Sequence, residues 1–397
     1  MAALRITCPI AANRAAITGE CAVLLDAAGT LSVALLDWNA GSCSCLPVAD
    51  DIACFGTSSD GDWLTYVSAG SLCVVSLAET RQNILYADGD SIMPPMEYTV
   101  GAHLFSPTAY RHMAVSDLGR HVALVVEGCA ADNVGSGKSR LVIYACDPKD
   151  NAWRLIFQTA ACVDSLTWLP YMPGDAYMLL AATVNASQAS TDLLLLAIDT
   201  RMTTRHTVRS LPIGHAMHIS PGRTTTCKEL YVTTRDAIYA IDCLQQPGSP
   251  ATASISRICL LPVVAAADIH RQPLNAGPAG DRGRWPVIAC LGPAGTVLVQ
   301  LPDGVACSPR WRSPLGLAVV PTRAPKGLVP LTIGTTGTRS VVAVFGGGSS
   351  CVMQRWTPGT IKSAVRIMTF ILCARRHRDP QVPVLTHEIV NMIAYYI

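Results

Sequence analysis

Apolar and polar positions alternate along this chain in short blocks. Runs of about five to seven residues rich in Val, Ile, Leu and Cys are separated by Gly, Pro, Asp and Ser, which predicts strands joined by tight turns. One phrase recurs with variations: an apolar run, a Gly turn containing Ser, a second apolar run, a hairpin, and a third run that often ends in Asp. Its clearest copies are Ile52-Ala53-Cys54-Phe55 with Ser58-Ser59-Asp60-Gly61, then Met113-Ala114-Val115-Ser116-Asp117-Leu118-Gly119, then Met217-His218-Ile219-Ser220-Pro221-Gly222. A period of roughly 40 to 50 residues marks a repeat architecture, because one small sheet cannot bury its own faces and must stack on neighbours.

The runs sort into seven groups of four. The first takes Leu4 to Ile10, which could instead complete the last group, with Cys21 to Asp26, Leu31 to Asp37 and Cys43 to Val48. The second takes Ile52 to Phe55, Trp63 to Ser68, Leu72 to Leu77 and Asn83 to Tyr86, with Ala69-Gly70 as a hairpin, and an insertion from Asp88 to Ala109 follows it. His112 to Val115, His121 to Glu127, Arg140 to Asp147 and Trp153 to Gln158 form the third. Val163 to Trp168, Tyr177 to Val184, Asp192 to Asp199 and Arg205 to Leu211 form the fourth. The fifth holds Ala216 to Ile219, Glu229 to Thr233, Ala237 to Asp242 and Ser256 to Leu261. The sixth holds Ala267 to His270, Trp285 to Cys290, Thr296 to Leu301 and Arg310 to Arg312, interrupted by a loop from Arg271 to Arg284. Leu317 to Val320, Val329 to Ile333, Ser340 to Phe345 and Cys351 to Trp356 close the series.

Asp37, Asp147, Asp199 and Asp242 end third runs, and Ser59-Asp60-Gly61-Asp62-Trp63-Leu64 and Ser220-Pro221-Gly222 precede second runs. In these features the chain resembles WD-repeat and related propeller families, although no Gly-His pair opens the groups and no Trp-Asp ends a third run. The expected fold is all-β: a seven-bladed β-propeller of four-stranded antiparallel blades over residues 1–357, with a short C-terminal α-helical appendage over 358–397.

Composition narrows the function. Hydrophobic residues make up 50% of the chain and charged residues 15%, so much of the surface is neutral or apolar and suited to protein partners. A net charge of +2 lacks the basic excess of a phosphate-tracking protein, and no nucleic acid is expected. The opening residues lack a charged region followed by a sustained apolar stretch, and apolar runs are too short to cross a bilayer, so an intracellular protein without membrane contact is expected. Sixteen cysteines scattered through strand runs read as reduced, buried thiols.

Candidate chemistry is sparse. Asp132-Asn133-Val134-Gly135-Ser136-Gly137-Lys138-Ser139 resembles a phosphate loop, but Asp132 stands where Gly is needed and a strand, not a helix, follows, which predicts a hairpin loop. Cys43-Ser44-Cys45 puts two thiols on one side of a strand, a geometry that could hold a soft metal, but without a second cysteine pair in sequence structural thiols are expected and no metal or cofactor is assigned. His215 and His218 face opposite sides of a strand and cannot chelate together. Asp164, His218, Asp268 and His270 lie on or near predicted inner strands, where a channel enzyme of hydrolase type would place its groups.

The strand pattern stops near Trp356. Ile361 to Arg378 has helical periodicity, with Val365, Met368, Ile371 and Leu372 on one face, and Leu385, Ile389, Ile393 and Ile397 recur every fourth residue in a second helix. Leu385, Glu388, Ile389 and Ile393 resemble the opening helix of F-box domains, and the helix pair is loosely similar to a SOCS-type box. Both resemblances imply docking to ubiquitin-ligase components, with Leu385, Glu388, Ile389, Ile393 and Ile397 as the partner-binding residues. The expected function is a non-enzymatic interaction scaffold or adaptor with no catalytic residue. The alternatives are the channel enzyme and a structural subunit of a larger assembly.

Overall fold

The computed structural model describes residues 4–58, 60–69, 71–86, 97–100, 110–127, 139–146, 153–169, 171, 175, 177–187, 190–199, 204–221, 229–234, 237–242, 255–260, 273–275, 287–292, 295–300, 319–323, 325–335 and 340–357. The opening strand is β1 (Leu4–Cys8). Next comes a sheet of β2 (Ala12–Thr18), β3 (Cys21–Asp26), β4 (Leu31–Asp37) and β5 (Ser42–Ala49). The second sheet is β6 (Ile52–Thr57), β7 (Trp63–Ser68), β8 (Ser71–Ser76) and β9 (Glu97–Val100), with helix α1 (Leu77–Tyr86) between its last two strands. The third is β10 (Tyr110–Val115), β11 (His121–Val126), β12 (Arg140–Cys146) and β13 (Trp153–Ala160). The fourth is β14 (Val163–Trp168), β15 (Tyr177–Ser187), β16 (Ser190–Asp199) and β17 (Thr204–Leu211). The fifth is β18 (Ala216–Pro221), β19 (Glu229–Thr234), β20 (Ala237–Asp242) and β21 (Ile255–Leu260). The sixth is β22 (Pro273–Asn275), β23 (Val287–Gly292), β24 (Gly295–Gln300) and β25 (Val319–Arg323). In the last sheet β26 (Val329–Thr335), β27 (Val341–Gly347) and β28 (Ser350–Trp356) are completed by β1, with Cys8 opposite Cys351.

Every sheet is antiparallel and four-stranded, and first strands contact one another in the order β2, β6, β10, β14, β18, β22, β26 and back to β2. Sheets stacked through their first strands are the arrangement of a β-propeller. Apolar side chains fill wedges between successive sheets. Cys54, Val67 and Val74 meet Met113, Val122 and Leu124, and Ala123 and Ile143 meet Trp168 and Leu180. Because middle strands are covered on both faces, β3, β8, β11 and β12 read as unbroken apolar runs, whereas the outer strands β5, β13 and β17 are largely exposed.

The recurring turn has a physical basis. Ser58 Oγ accepts the Trp63 N–H at 3.0 Å and Ser116 Oγ accepts the His121 N–H at 3.2 Å, so each serine braces the start of the second strand. Gly61 and Gly119 take φ of 81° and 67°, and a Cβ at Gly119 would overlap the Trp63 ring of the preceding sheet. Asp37 closes its strand by accepting the N–H groups of Asn39 and Ala40 at 2.9 and 3.0 Å.

Several boundaries differ from the sequence reading. Leu4–Cys8 belongs to the last sheet, and the first sheet begins with Ala12–Thr18, a run too mixed in polarity to read as a strand. Asn83 to Tyr86 is the end of α1 and not a strand. Ser76 Oγ accepts the Glu79 N–H at 3.4 Å, and Leu77 and Ile84 pack on the first sheet. The fourth strand of the second sheet is Glu97–Val100, inside the segment read as an insertion. In the sixth sheet the first strand is Pro273–Asn275 and the outer one Val319–Arg323, so Leu317 to Val320 does not open the last group. Ala267 to His270, Arg310 to Arg312 and residues 358–397 lie outside the described residues. The phosphate-loop lookalike joins β11 to β12, which pair antiparallel. Among the described residues no helix is long and apolar enough to cross a membrane.

Candidate functional site

Strand pairing shifts by one residue near the start of β2, β6, β10, β14, β18 and β26. The shifts fall between Ala12 and Arg14, Ile52 and Cys54, Tyr110 and His112, Val163 and Ser165, Ala216 and His218, and Pro330 and Thr332. A bulge bends its strand and re-aims the neighbouring side chain, so a bulge repeated at one level sets a band of side chains around the axis. Arg14, His112 and His218 are the first paired residues after their bulges, and Asp164 is itself the bulged residue of β14.

These groups sense one another. Burial lowers the His112 pKa, and the Arg14 and Arg111 guanidinium groups add to the effect while Asp164 and Glu127 oppose it. Burial also drives His218 down, to about 4, with help from His112. Both imidazoles keep some accessible surface. At neutral pH both imidazoles are uncharged, each offering one donor and one acceptor nitrogen.

Other polar groups of the inner strands bond across sheets. Arg14 donates to Arg111 O at 3.4 Å and to Cys54 Sγ at 3.8 Å, Trp168 Nε1 donates to Ala114 O at 3.1 Å, and Ser165 Oγ accepts the Ile219 N–H at 3.2 Å. Burial raises the Cys54 thiol pKa, which keeps it protonated. On the turn side, the Asp117 carboxylate accepts the Asp60 N–H at 3.2 Å and the Tyr171 N–H at 3.3 Å, linking three successive sheets. Burial raises the Asp60 pKa to about 6, with the Asp117 charge as the second cause.

Of the residues singled out from sequence, Asp164 and His218 fall at the bulges of β14 and β18, and Asp268 and His270 lie outside the described residues, as do Leu385, Glu388, Ile389, Ile393 and Ile397. Arg14 and His112 were not anticipated. Their only signal is a break in strand alternation, which a single sequence does not distinguish from a loop.

Cys43 and Cys45 are joined by Cys8. Sγ of Cys45 lies 3.4 Å from that of Cys8 and 3.9 Å from that of Cys43. Hydrogen bonds from the Cys45 and Cys8 thiols lower the Cys43 pKa, while contact with Cys351 raises Cys8 and contact with Cys43 raises Cys45, so the three thiols titrate as a coupled group.

No family model matches the chain, and no curated protein matches it. Among solved structures it is similar to the β-propeller domain of Cps50 (Swd1) from Myceliophteria thermophila, at 11% identity and a TM-score of 0.49, over 88% of this chain and 97% of that one. It is similar to the WD40 domain of SCAP from fission yeast, at 12% identity and a TM-score of 0.44, over 74% of this chain and 59% of that one. A puromycin-hydrolyzing peptidase of Mycobacterium tuberculosis aligns at 14% identity and a TM-score of 0.48, over 85% of this chain but half, 50%, of the peptidase. The fold assignment rests on this chain's own sheet order and inner-strand contacts.

Proposed function

We propose that the chain is a seven-bladed, closed β-propeller that works as a non-enzymatic protein-interaction scaffold, with one face of the ring binding a partner and the C-terminal helices docking to a ubiquitin-ligase core. The cyclic order of first-strand contacts supports a closed ring of seven. The observation that carries the scaffold reading is the use made of the channel's polar groups. Arg14, Ser165 and Trp168 bond to neighbouring inner strands, which stiffens the ring and commits those groups to structure. A rigid ring presents its loops without a large ordering cost on binding. Leu385, Glu388, Ile389, Ile393 and Ile397 are the proposed docking residues of the tail.

A channel enzyme is the second reading, favoured by the convergence of His112, Asp164 and His218 from adjacent sheets. A general base works best with a pKa near the working pH, and His218 at about 4 is far below it.

Affinity purification with mass spectrometry of the full chain and of a chain lacking residues 361–397 tests the scaffold reading. The expected result is loss of one partner set from the shortened chain, with its circular dichroism and melting unchanged. Unfolding of the shortened chain would instead make the tail an edge cap and end the adaptor reading.

A further inference from the structure

The thiols of Cys8, Cys43 and Cys45 meet where the ring closes. Cys43 and Cys45 alternate onto one face of β5, the outer strand of the first sheet. Cys8 ends β1, which pairs into the last sheet but also contacts β5. The three ligand atoms lie within 4.8 Å of one another. Around a tetrahedral zinc with Zn–S near 2.3 Å, sulfurs stand about 3.8 Å apart. The observed separations of 3.4 and 3.9 Å bracket that value.

The surroundings suit a metal site as well. Cys8, Cys351, Ile6, Met353 and Trp38 form a buried wall on one side, and Cys45 is exposed on the other, which gives an entry path and leaves a fourth position to water. A disulfide would use one pair of these sulfurs and leave the third without a role.

We propose that Cys8, Cys43 and Cys45 form a three-thiolate site for one zinc ion that staples the first sheet to the last. On binding, each thiol releases its proton to solvent as its sulfur donates an electron pair to the ion, and no electrons are transferred. The chain already passes from β1 to β2 through residues 9–11, and the ion adds a second link between the two sheets, from β1 to the outer strand β5.

The test uses the full chain, purified with a phosphine reductant and no chelator, with zinc and cobalt(II) as probes. The proposal predicts one zinc per chain, sulfur-to-cobalt charge-transfer and tetrahedral d–d bands on cobalt titration, and a melting temperature that rises with zinc. Cys45→Ser, at an exposed position and checked for folding by circular dichroism, should weaken binding by more than the roughly 10–100-fold that follows loss of an outer-shell partner. It should also abolish the thermal shift, while Cys162→Ser, a second exposed cysteine, leaves both unchanged. Absence of the cobalt–thiolate bands in the reduced chain, or equal zinc affinity in Cys45→Ser, would overturn the proposal. So would a Cys8–Cys45 disulfide that forms in preference to zinc binding and accounts for all stabilisation of the seam.

Discussion

The junction between the second and third sheets and the seam between the last and first do the same job with different means. At the ordinary junction the chain runs from one sheet into the next, a Cβ at Gly119 would meet the Trp63 ring, and Asp117 accepts the Asp60 N–H across the boundary. At the seam the chain also crosses, from β1 through residues 9–11 to β2, but β1 is held to the rest of the last sheet only by its pairing with β28. The last sheet borrows β1 from the other end of the chain, Gly334 and Gly346 let the backbones of β26 and β27 approach Ile17 and Ala12, and three thiols gather beside Cys351. A repeat protein supplies its internal contacts by repetition, but closing the ring needs residues that the repeat does not specify.

Removing residues 1–10 is the most severe way to break this comparison. It strips β28 of its outer partner and takes Ile6 and Cys8 out of the seam wedge, so we expect the largest loss of melting temperature and self-association through the bare edge, read by size-exclusion chromatography. At the ordinary junction, Gly119→Ala places a side chain at positive φ against the Trp63 ring, and should cost about 2–5 kcal/mol in chemical denaturation.

Titration comes next in size. Burial lowers the His121 pKa to about 4, and its ring lies 5.8 Å from that of Trp168. A base with a depressed folded pKa gives stability that is present above its unfolded value and lost as pH falls through the folded one. Between pH 6.5 and 4, His121 should therefore cost on the order of 3 kcal/mol, with His218 adding in the same direction, and His121→Gln should flatten the melting-temperature profile. Asp60 works the other way. Its pKa is raised to about 6, so its contribution is complete below about pH 4 and lost as pH rises through 6, and Asp60→Asn should gain most stability above pH 6. The smallest effect belongs to Ser116→Ala, which removes the acceptor of the His121 N–H and should cost about 1 kcal/mol.

Where the repeat is regular, the sequence was a good guide. All four strands of the third, fourth and fifth sheets, the Ala69-Gly70 hairpin and the Ser-Gly turns were legible, because buried middle strands and braced turns leave strong local patterns. The ends were not. An apolar run carries no mark of whether it is the first or fourth strand of a sheet, so Leu4 to Ile10 suited the first group or the last, and the structure puts Leu4–Cys8 in the last. The helix Leu77–Tyr86 was missed although Ser76 and Glu79 stand at capping spacing, since Leu77 continues the apolar run of β8. The axial band depends on bulges, and the meeting of Cys8 with Cys43 and Cys45 depends on ring closure. Neither is a property of any local segment.

Hydrogen exchange across β1 tests the closure of the ring most directly. If Leu4–Cys8 forms the fourth strand of the last sheet, its amides should be protected to a degree matching β28 and should exchange together with it. Exchange of β1 at the rate of a free terminus, with β27 and β28 still protected, would contradict the closed ring.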